Sequence, residues 1–313
     1  MATRECSRPD IVLRRANDGM LRFSGLEPSL SEVLDVAASA HRGDVAIDLD
    51  GDGVDYRALW HSATRIAGGL VEWGVHVGDR LLLGPAFSVE WAHSLLGTIL
   101  AGGVPVVVAP DGAADPAEVV RDCGALRVFD GERPHGPAYV DDGAAPDELA
   151  LLWYSHTHDG LVGVELTNEN VLSAVEACRR GGDGAAIDAA PSLASVGSLV
   201  RILAAFASGG RVVRDTGRPV GPAGPAETTG IPLDGRSETE GGAGLSAGIE
   251  YVVAGPGGGE LLCRGPSVAR GYWNRPALTG ARFRRGWFHT GTTAAVGTDG
   301  QVRIVDPAIR RTP

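Results

Sequence analysis

The chain has 313 residues, of which 43% are hydrophobic and 21% are charged, a composition that suits a soluble globular protein with a large core in one or two domains. Its 39 acidic and 28 basic residues give a formal net charge of −11, which argues against nucleic acid or an anionic membrane surface as the main partner. The sequence has no apolar run of transmembrane length and no apolar signal-peptide core near its start, so we expect a cytoplasmic protein.

The predicted elements follow one another in a regular order. They are a helix over Ser29–Ala40, a hairpin over Val45–Tyr56, a helix over Tyr56–Trp73, a strand over Leu81–Leu83, a helix over Val89–Leu100, a strand over Val104–Ala109, a helix over Ala117–Cys123, a strand over Leu126–Phe129, helices over Val171–Arg179 and Ser198–Ala207, and a strand over Arg211–Val213. Strands that alternate with helices predict parallel pairing in a doubly wound sheet.

Two patterns in the sequence have some similarity to metal sites, and we expect neither to bind a metal. Cys6, Cys123, Cys178 and Cys263 are widely spaced with no C-x-x-C pair, which predicts reduced structural thiols. The acidic run Asp48, Asp50, Asp52 is followed by Gly53, as in a calcium loop, but the twelfth position is Leu59 instead of glutamate. The run is therefore predicted to be the turn of the hairpin.

The stretch from Trp153 to Val171 contains the candidate functional site. Apolar Leu149 to Trp153 predicts the end of a buried strand, and Val164 to Leu166 predicts a second short one. Between them we predict a polar, glycine-bearing loop, and after them a helix capped by Thr167 or Asn168. A loop that follows a strand in this way is a common phosphate site, because backbone N–H groups converge there.

The flanks of this stretch resemble the superfamily of AMP-forming acyl-CoA synthetases and peptide-synthetase adenylation domains, whose phosphate loop reads T-S-G-T-T-G-x-P-K-G-V-x-L-T-H-x-N-L. At the phosphate-loop positions the chain keeps only Ser155, Thr157 and Gly163. Val162 stands at the lysine position and the anionic Asp159 at the second loop glycine. All 28 basic residues of the chain are arginine, so no lysine elsewhere can take over this role.

The C-terminal part is similar to the same superfamily over a long stretch. Residues 257–279, G-G-G-E-L-L-C-R-G-P-S-V-A-R-G-Y-W-N-R-P-A-L-T, match its G-E-I-x-x-R-G-P-x-V-x-x-G-Y-W-x-x-P-x-x-T, and the segments 286–291 and 300–306 match in order. The resemblance implies an α/β fold in which a doubly wound, largely parallel sheet subdomain precedes a smaller β-rich, barrel-like subdomain. We assign residues 1–215 to the first, 216–243 to a Gly/Pro-rich linker that replaces a deleted subdomain, and 244–313 to the second.

The resemblance also implies a reaction in which ATP and a carboxylate form an acyl-adenylate that a thiol then receives. Several residues that the superfamily uses for it are replaced here: the ribose-binding aspartate is Thr292 and the hinge arginine is Pro307. Glu227-Thr228 remains as a fragment of the Y-G-x-T-E-T motif without its adenine-stacking tyrosine. The C-terminal lid domain is expected to be absent, because the chain ends at Pro313.

The leading hypothesis is a degenerate superfamily member that has lost ATP-dependent adenylation and acts as a binding or structural partner of a protein, either a biosynthetic enzyme or a carrier protein. It needs no cofactor, since ATP, Mg²⁺ and CoA would not be bound. One alternative is a repurposed enzyme in which His156, His158 and Asp159, with Asp141 or Asp142, ligate a metal or act as acid and base. Another is a residual ligase that a partner carrying the lid completes.

Overall fold

The computed structural model describes residues 11–17, 19–26, 29–49, 51, 53–110, 114–129, 133–157, 159–181, 188–214, 226–228, 248–255, 258–296 and 302–306. The helices in this part of the chain are α1 Leu30–Ala40, α2 Tyr56–Glu72, α3 Val89–Leu100, α4 Pro116–Cys123, α5 Asn168–Gly181, α6 Val196–Ser208 and α7 Pro276–Arg282. The strands are β1 Val12–Arg15, β2 Leu21–Ser24, β3 Val45–Asp48, β4 Val54–Asp55, β5 Arg80–Leu82, β6 Val104–Val108, β7 Arg127–Val128, β8 Leu149–Thr157, β9 Gly160–Thr167, β10 Val212–Val213, β11 Glu250–Ala254, β12 Gly259–Arg264, β13 Gly271–Tyr272, β14 Phe283–Arg284, β15 Trp287–Val296 and β16 Val302–Asp306.

Capping side chains place the helix ends where the sequence predicts them. Asp55 accepts a hydrogen bond from the N–H of Ala58 (2.7 Å) at the start of α2. Ser88 accepts one from the N–H of Trp91 (3.1 Å) at the start of α3. Helix α4 ends at Gly124, whose φ of 62° lies in the left-handed region that favours glycine. The helices predicted from apolar spacing are thereby confirmed, with ends that differ by a few residues.

The central sheet has six strands in the order β13-β9-β8-β6-β5-β7. Strands β8, β6, β5 and β7 run parallel, whereas β9 pairs antiparallel with β8 and β13 pairs antiparallel with β9. Both faces of the parallel part are buried: Val107 of β6 belongs to the main core, while Val104 and Val106 belong to a smaller core that includes Val119 of α4. Helices therefore cover both faces, and the predicted α/β fold with a largely parallel, doubly wound sheet is confirmed.

A second, antiparallel sheet lies in the C-terminal part of the chain. Its strand order is β11-β12-β15-β14, with β16 also paired to β15, and its inner face packs around Leu261, Cys263 and Phe288. This confirms the smaller β-rich unit. Strand β13 comes from the same part of the chain but joins the central sheet through β9. The boundaries at 215 and 243 stay predictions, and most of the linker between them lies outside the described residues.

Two smaller sheets complete the described strands. Strands β1 and β2 form an antiparallel hairpin. Strand β3 pairs antiparallel with β4, as predicted for the hairpin over Val45–Tyr56, and parallel with β10. Asp48 accepts a hydrogen bond from the N–H of Gly51 (3.0 Å) in its turn, while Asp50 and Asp52 lie outside the described residues. Among the described helices none is long and apolar enough to cross a membrane.

Candidate functional site

The prediction of a polar loop after Trp153 is wrong. Strand β8 continues to Thr157 and β9 begins at Gly160, so the residues aligned with the phosphate loop form one antiparallel hairpin. Its register runs from Leu149 opposite Thr167 to Thr157 opposite Gly160. The signal that sequence analysis missed is the sequence Asp159-Gly160, which is typical of tight hairpins. Gly160 pairs with Thr157 directly after the turn and adopts a φ of 90°, which favours glycine.

The side chains of this hairpin alternate between the two cores. Val162 lies opposite Ser155 and is 2% exposed, packed in the main core with Trp153 and Val164. A lysine ammonium at this position would have to leave water without a partner charge, which is unfavourable by several kcal/mol, on the order of 3–5. The position that would carry the loop lysine is therefore part of the apolar interior.

Tyr154 fills the opposite face of the hairpin. Its ring is fully buried and its hydroxyl donates a hydrogen bond to Oδ2 of Asp122 (2.6 Å), whose Oδ1 accepts one from Arg275 (2.6 Å). Burial, followed by Asp122, raises the pKa of Tyr154, so the phenol stays protonated and donates. A Cβ on Gly163 would lie 2.6 Å from this ring, so Gly163 provides room for an aromatic side chain inside the protein.

The remaining polar residues of the hairpin make contacts within the chain. Thr157 Oγ1 accepts a hydrogen bond from the N–H of Asp159 (3.1 Å) and donates to the carbonyl of Gly160 (3.3 Å). The carboxylate of Asp159 forms an ion pair with Arg282 of α7 (3.1 Å). Ser155 is half-buried beside Val162. The hydroxyl of Thr157 and the carboxylate of Asp159 are therefore engaged within the chain, and the guanidinium of Arg282 at the turn is paired with that carboxylate.

The residues proposed for a repurposed metal or acid–base site are not brought together. His156 is half-buried near the carboxyl end of β8, on the face of Tyr154, and His158 lies outside the described residues. Asp141 lies beside Leu149 at the other end of β8, and that strand separates it from His156 by roughly 20 Å. The described residues contain no group of three His, Cys, Asp or Glu side chains that could hold a metal ion.

Thr292, which aligns with the ribose-binding aspartate, is half-buried within β15 at an irregularity in its pairing with β12. Its N–H donates to Oγ1 of Thr290 (3.0 Å). The nearby carboxylate of Glu260 accepts hydrogen bonds from the N–H of Gly291 (3.0 Å) and from Nδ1 of His289 (3.0 Å). Burial raises the pKa of Glu260, but these hydrogen bonds outweigh burial and hold it below its ordinary value. The carboxylate of Glu260 is thus held by bonds within the sheet. Thr292 has no carboxylate and cannot take the place of the ribose-binding aspartate.

Glu227 and Thr228 form a short 3₁₀ turn, Ala226–Thr228, against the central sheet. Glu227 accepts a hydrogen bond from the hydroxyl of Tyr272 (2.6 Å), and its carbonyl accepts one from the N–H of Ala269 (2.7 Å). Burial, and then Glu227, raise the pKa of Tyr272, which keeps this donor protonated. The fragment that resembles the adenine-binding motif thus fixes strand β13, a contact that sequence analysis did not predict.

Comparison with known protein families identifies an AMP-binding enzyme family over residues 34–148. A feruloyl-CoA synthase of Amycolatopsis is 40% identical over 79 residues, which cover 22% of this chain and 16% of that enzyme. A long-chain-fatty-acid–CoA ligase of Escherichia coli O157:H7 is 50% identical over 48 residues, 15% of this chain and 9% of the ligase. The chain thus matches only a small part of the length of these relatives.

Solved structures share the fold over most of the chain. The o-succinylbenzoate CoA synthetase of Bacillus subtilis, in complex with its acyl-adenylate intermediate, matches with a TM-score of 0.74 at 17% identity, over 90% of this chain and 78% of that one. The N-terminal domain of FACL13 from Mycobacterium tuberculosis matches with a TM-score of 0.73 at 18% identity, over 89% of this chain and 99% of that one. At these identities the likeness establishes the fold.

Proposed function

We propose that the chain is a member of the superfamily of AMP-forming acyl-CoA synthetases and adenylation domains that no longer adenylates carboxylic acids and acts as a binding or structural partner of another protein. The partner that we propose is a biosynthetic enzyme or a carrier protein. The single observation that carries this proposal is the hairpin β8–β9, which is paired up to Thr157 and Gly160 where a nucleotide-binding member would need an open loop.

Electrostatics supports the loss of adenylation. Attack of a carboxylate on the α-phosphate builds negative charge, which cationic groups and hydrogen-bond donors must stabilise. Here Val162 is buried in an apolar core and Asp159 adds a negative charge at the turn. Each lost charged contact is worth about 2 kcal/mol, so two or three losses lower the rate by several powers of ten.

The apolar surface near the edge of the central sheet supports a protein partner. Strand β7 pairs only with β5 among the described strands. Around it the side chains of Trp73, Leu126 and Val128 are exposed, and Arg127 lies over the ring of Trp73 at 5.4 Å. Exposed apolar side chains beside an unpaired sheet edge are typical of protein-binding surfaces.

Two measurements on the purified chain test the proposal. We expect no pyrophosphate release with ATP–Mg²⁺ and a panel of aliphatic and aromatic carboxylic acids, under conditions in which a feruloyl-CoA synthase is active. We also expect no shift of the melting temperature at ATP–Mg²⁺ concentrations of up to about 5 mM. A nucleotide that did bind, at a hundred times its Kd, would stabilise the protein by about 2.7 kcal/mol and would raise the melting temperature. Substrate-dependent pyrophosphate release above the no-enzyme rate would refute the loss of adenylation.

Affinity purification from the native host tests the partner half of the proposal. We expect a stoichiometric protein, and we expect substitution of Trp73, Leu126 and Val128 by serine to reduce its recovery. Substitution of Val252, Val305 and Val36, which are also exposed but lie elsewhere, is the matched control and should leave recovery unchanged. Equal recovery with both triple variants would exclude the β7 edge as the partner site.

A further inference from the structure

A cavity of about 340 Å³ lies at the amino ends of the parallel strands. Its walls include Gly78 before β5, Gly103 before β6, and Leu149 at the start of β8. The hairpin turn lies at the opposite end of β8, roughly 25 Å away by strand rise, so the cavity is separate from the positions aligned with the phosphate loop. Its volume falls in the range of small-molecule sites, about 300–1,000 Å³.

The lining combines an apolar surface with two carboxylates that form no ion pair with any described residue. The apolar part is formed by Leu30, Val77, Ile99, Val104, Leu149 and Trp273. Asp141 is half-buried and Glu148 is exposed, and neither forms an ion pair within the described part of the chain. The remaining charged residue of the lining, Arg270, is paired with Glu165 at 2.9 Å.

Among the residues that the structure describes, none places a compensating positive charge on the carboxylate of Asp141. A Cβ on Gly102 would lie 3.2 Å from its Oδ2, so the carboxylate packs closely on this backbone. Burial raises the pKa of Asp141, and the neighbouring Asp142 and Glu148 raise it further, more than the backbone hydrogen bond at Gly143 lowers it. The attraction of a positive charge placed in the cavity would offset the cost of desolvation and the repulsion between the carboxylates.

Trp273 provides a second and independent feature of the cavity. Its ring lines the cavity and is held from the other side by Arg80, whose guanidinium lies 5.5 Å from the ring centre. Its indole nitrogen is buried and has no hydrogen-bond partner within the described residues. The ring therefore contributes an aromatic wall to the cavity, whereas the buried nitrogen is closed off from solvent and is not part of the binding surface.

We propose that this cavity binds a small organic amine, whose ammonium group lies against Asp141 and Glu148 and whose apolar body packs on Trp273. An anionic ligand is disfavoured by the two carboxylates, and a metal ion by the lack of a third ligand among the described residues. The proposal does not depend on the loss of adenylation, since the cavity uses none of the residues aligned with the nucleotide site.

Three probes of similar size and different charge test the proposal: 2-phenylethylamine, 2-phenylethanol and 3-phenylpropanoate, each titrated into the full chain and followed by ligand-observed NMR at neutral pH. For a ligand of about nine non-hydrogen atoms we expect a Kd on the order of 1 mM for the amine. The alcohol and the carboxylate should bind at least tenfold more weakly. Equal binding of the three probes, or binding of none at about 10 mM, would overturn the proposal.

Matched variants locate the site. Asp141→Asn should weaken amine binding at least tenfold, whereas Asp142→Asn, which removes the same charge from an exposed neighbour outside the lining, should change it less than twofold. Circular dichroism and the melting temperature of both variants verify that they fold. An equal effect of the two variants would mean that only general charge attraction operates, and would exclude the cavity as the site. Comparison of the three probes on the unmodified chain does not depend on either variant.

Discussion

The hairpin β8–β9 and the segment around β13 pair with each other in the central sheet, yet they relate to the superfamily in opposite ways. The hairpin keeps few of the residues of the superfamily's phosphate-loop motif. Two of the residues found there instead, Tyr154 and Val162, are buried in the two cores. The β13 segment keeps the motif residues, and one of them, Tyr272, donates a hydrogen bond to Glu227 within the chain. The retained motif therefore joins distant parts of the chain through a hydrogen bond, whereas the altered hairpin contributes buried side chains to the two cores.

The largest expected effect comes from restoring the charge of the superfamily's loop. Val162→Lys should lower the free energy of unfolding by about 3–5 kcal/mol, because it buries an ammonium without a partner. Urea denaturation measures this. Val36→Lys, the same substitution at an exposed position of α1, is the control and should change stability by about 0.5 kcal/mol or less. A Val162→Lys protein of unchanged stability would mean that the hairpin opens easily.

The next effect tests the close contact between Gly163 and Tyr154. Gly163→Ala should destabilise the protein by about 1–3 kcal/mol, since its Cβ would lie 2.6 Å from a buried ring. Gly43→Ala, where a Cβ meets nothing within 4 Å, serves as the control. If the two variants have the same midpoint in urea, Gly163 is not required by packing.

The two phenol–carboxylate pairs compare the hairpin with the β13 segment directly. Tyr154→Phe and Tyr272→Phe each remove a hydroxyl that donates to a carboxylate at 2.6 Å. Each should cost about 1.5–3 kcal/mol, because a carboxylate loses a hydrogen bond in a buried setting. Chemical denaturation at neutral pH measures both. A loss at Tyr272 with none at Tyr154 would show that the hairpin is held less firmly than the retained segment.

Acid should weaken the C-terminal sheet through Glu260. Since the folded protein holds the pKa of Glu260 below its ordinary value, this group stabilises the fold at pH values above its unfolded pKa, about 4.3. The stabilisation is lost as the pH falls through the lower folded pKa. Glu260→Gln should flatten the decline of stability between roughly pH 5 and pH 3. Thermal unfolding of both proteins as a function of pH measures this, and identical profiles would contradict the assignment.

The smallest effect is expected at the turn of the hairpin. Asp159→Asn removes the ion pair with Arg282, in which both side chains are partly exposed. Pairs of this kind contribute about 0–1 kcal/mol, and salt weakens them. We expect a loss below about 1 kcal/mol in urea that becomes smaller at 1 M salt. A larger, salt-independent loss would mean that the turn depends on Asp159 for more than this pair.

Most helices of the central unit could be predicted from sequence, because their apolar spacing and caps are local signals, as at Ser88 and Asp55. The prediction that failed concerns the hairpin, where the resemblance suggested a loop. The sequence Asp159-Gly160, with apolar residues on either side of it, favours paired strands. The contacts of Glu227 with Tyr272 and of Asp122 with Tyr154 join residues far apart in the chain. No local sequence pattern predicts such contacts.

Amide hydrogen exchange of the hairpin, with and without ATP–Mg²⁺, tests the central claim most directly. If residues 155–157 and 160–162 form paired strands as described, the amides that bond across the hairpin exchange as slowly as those of β6, and nucleotide leaves their rates unchanged. Fast exchange in the free protein that slows when ATP–Mg²⁺ is added would contradict the claim, because it would reveal an open loop that still closes on a nucleotide.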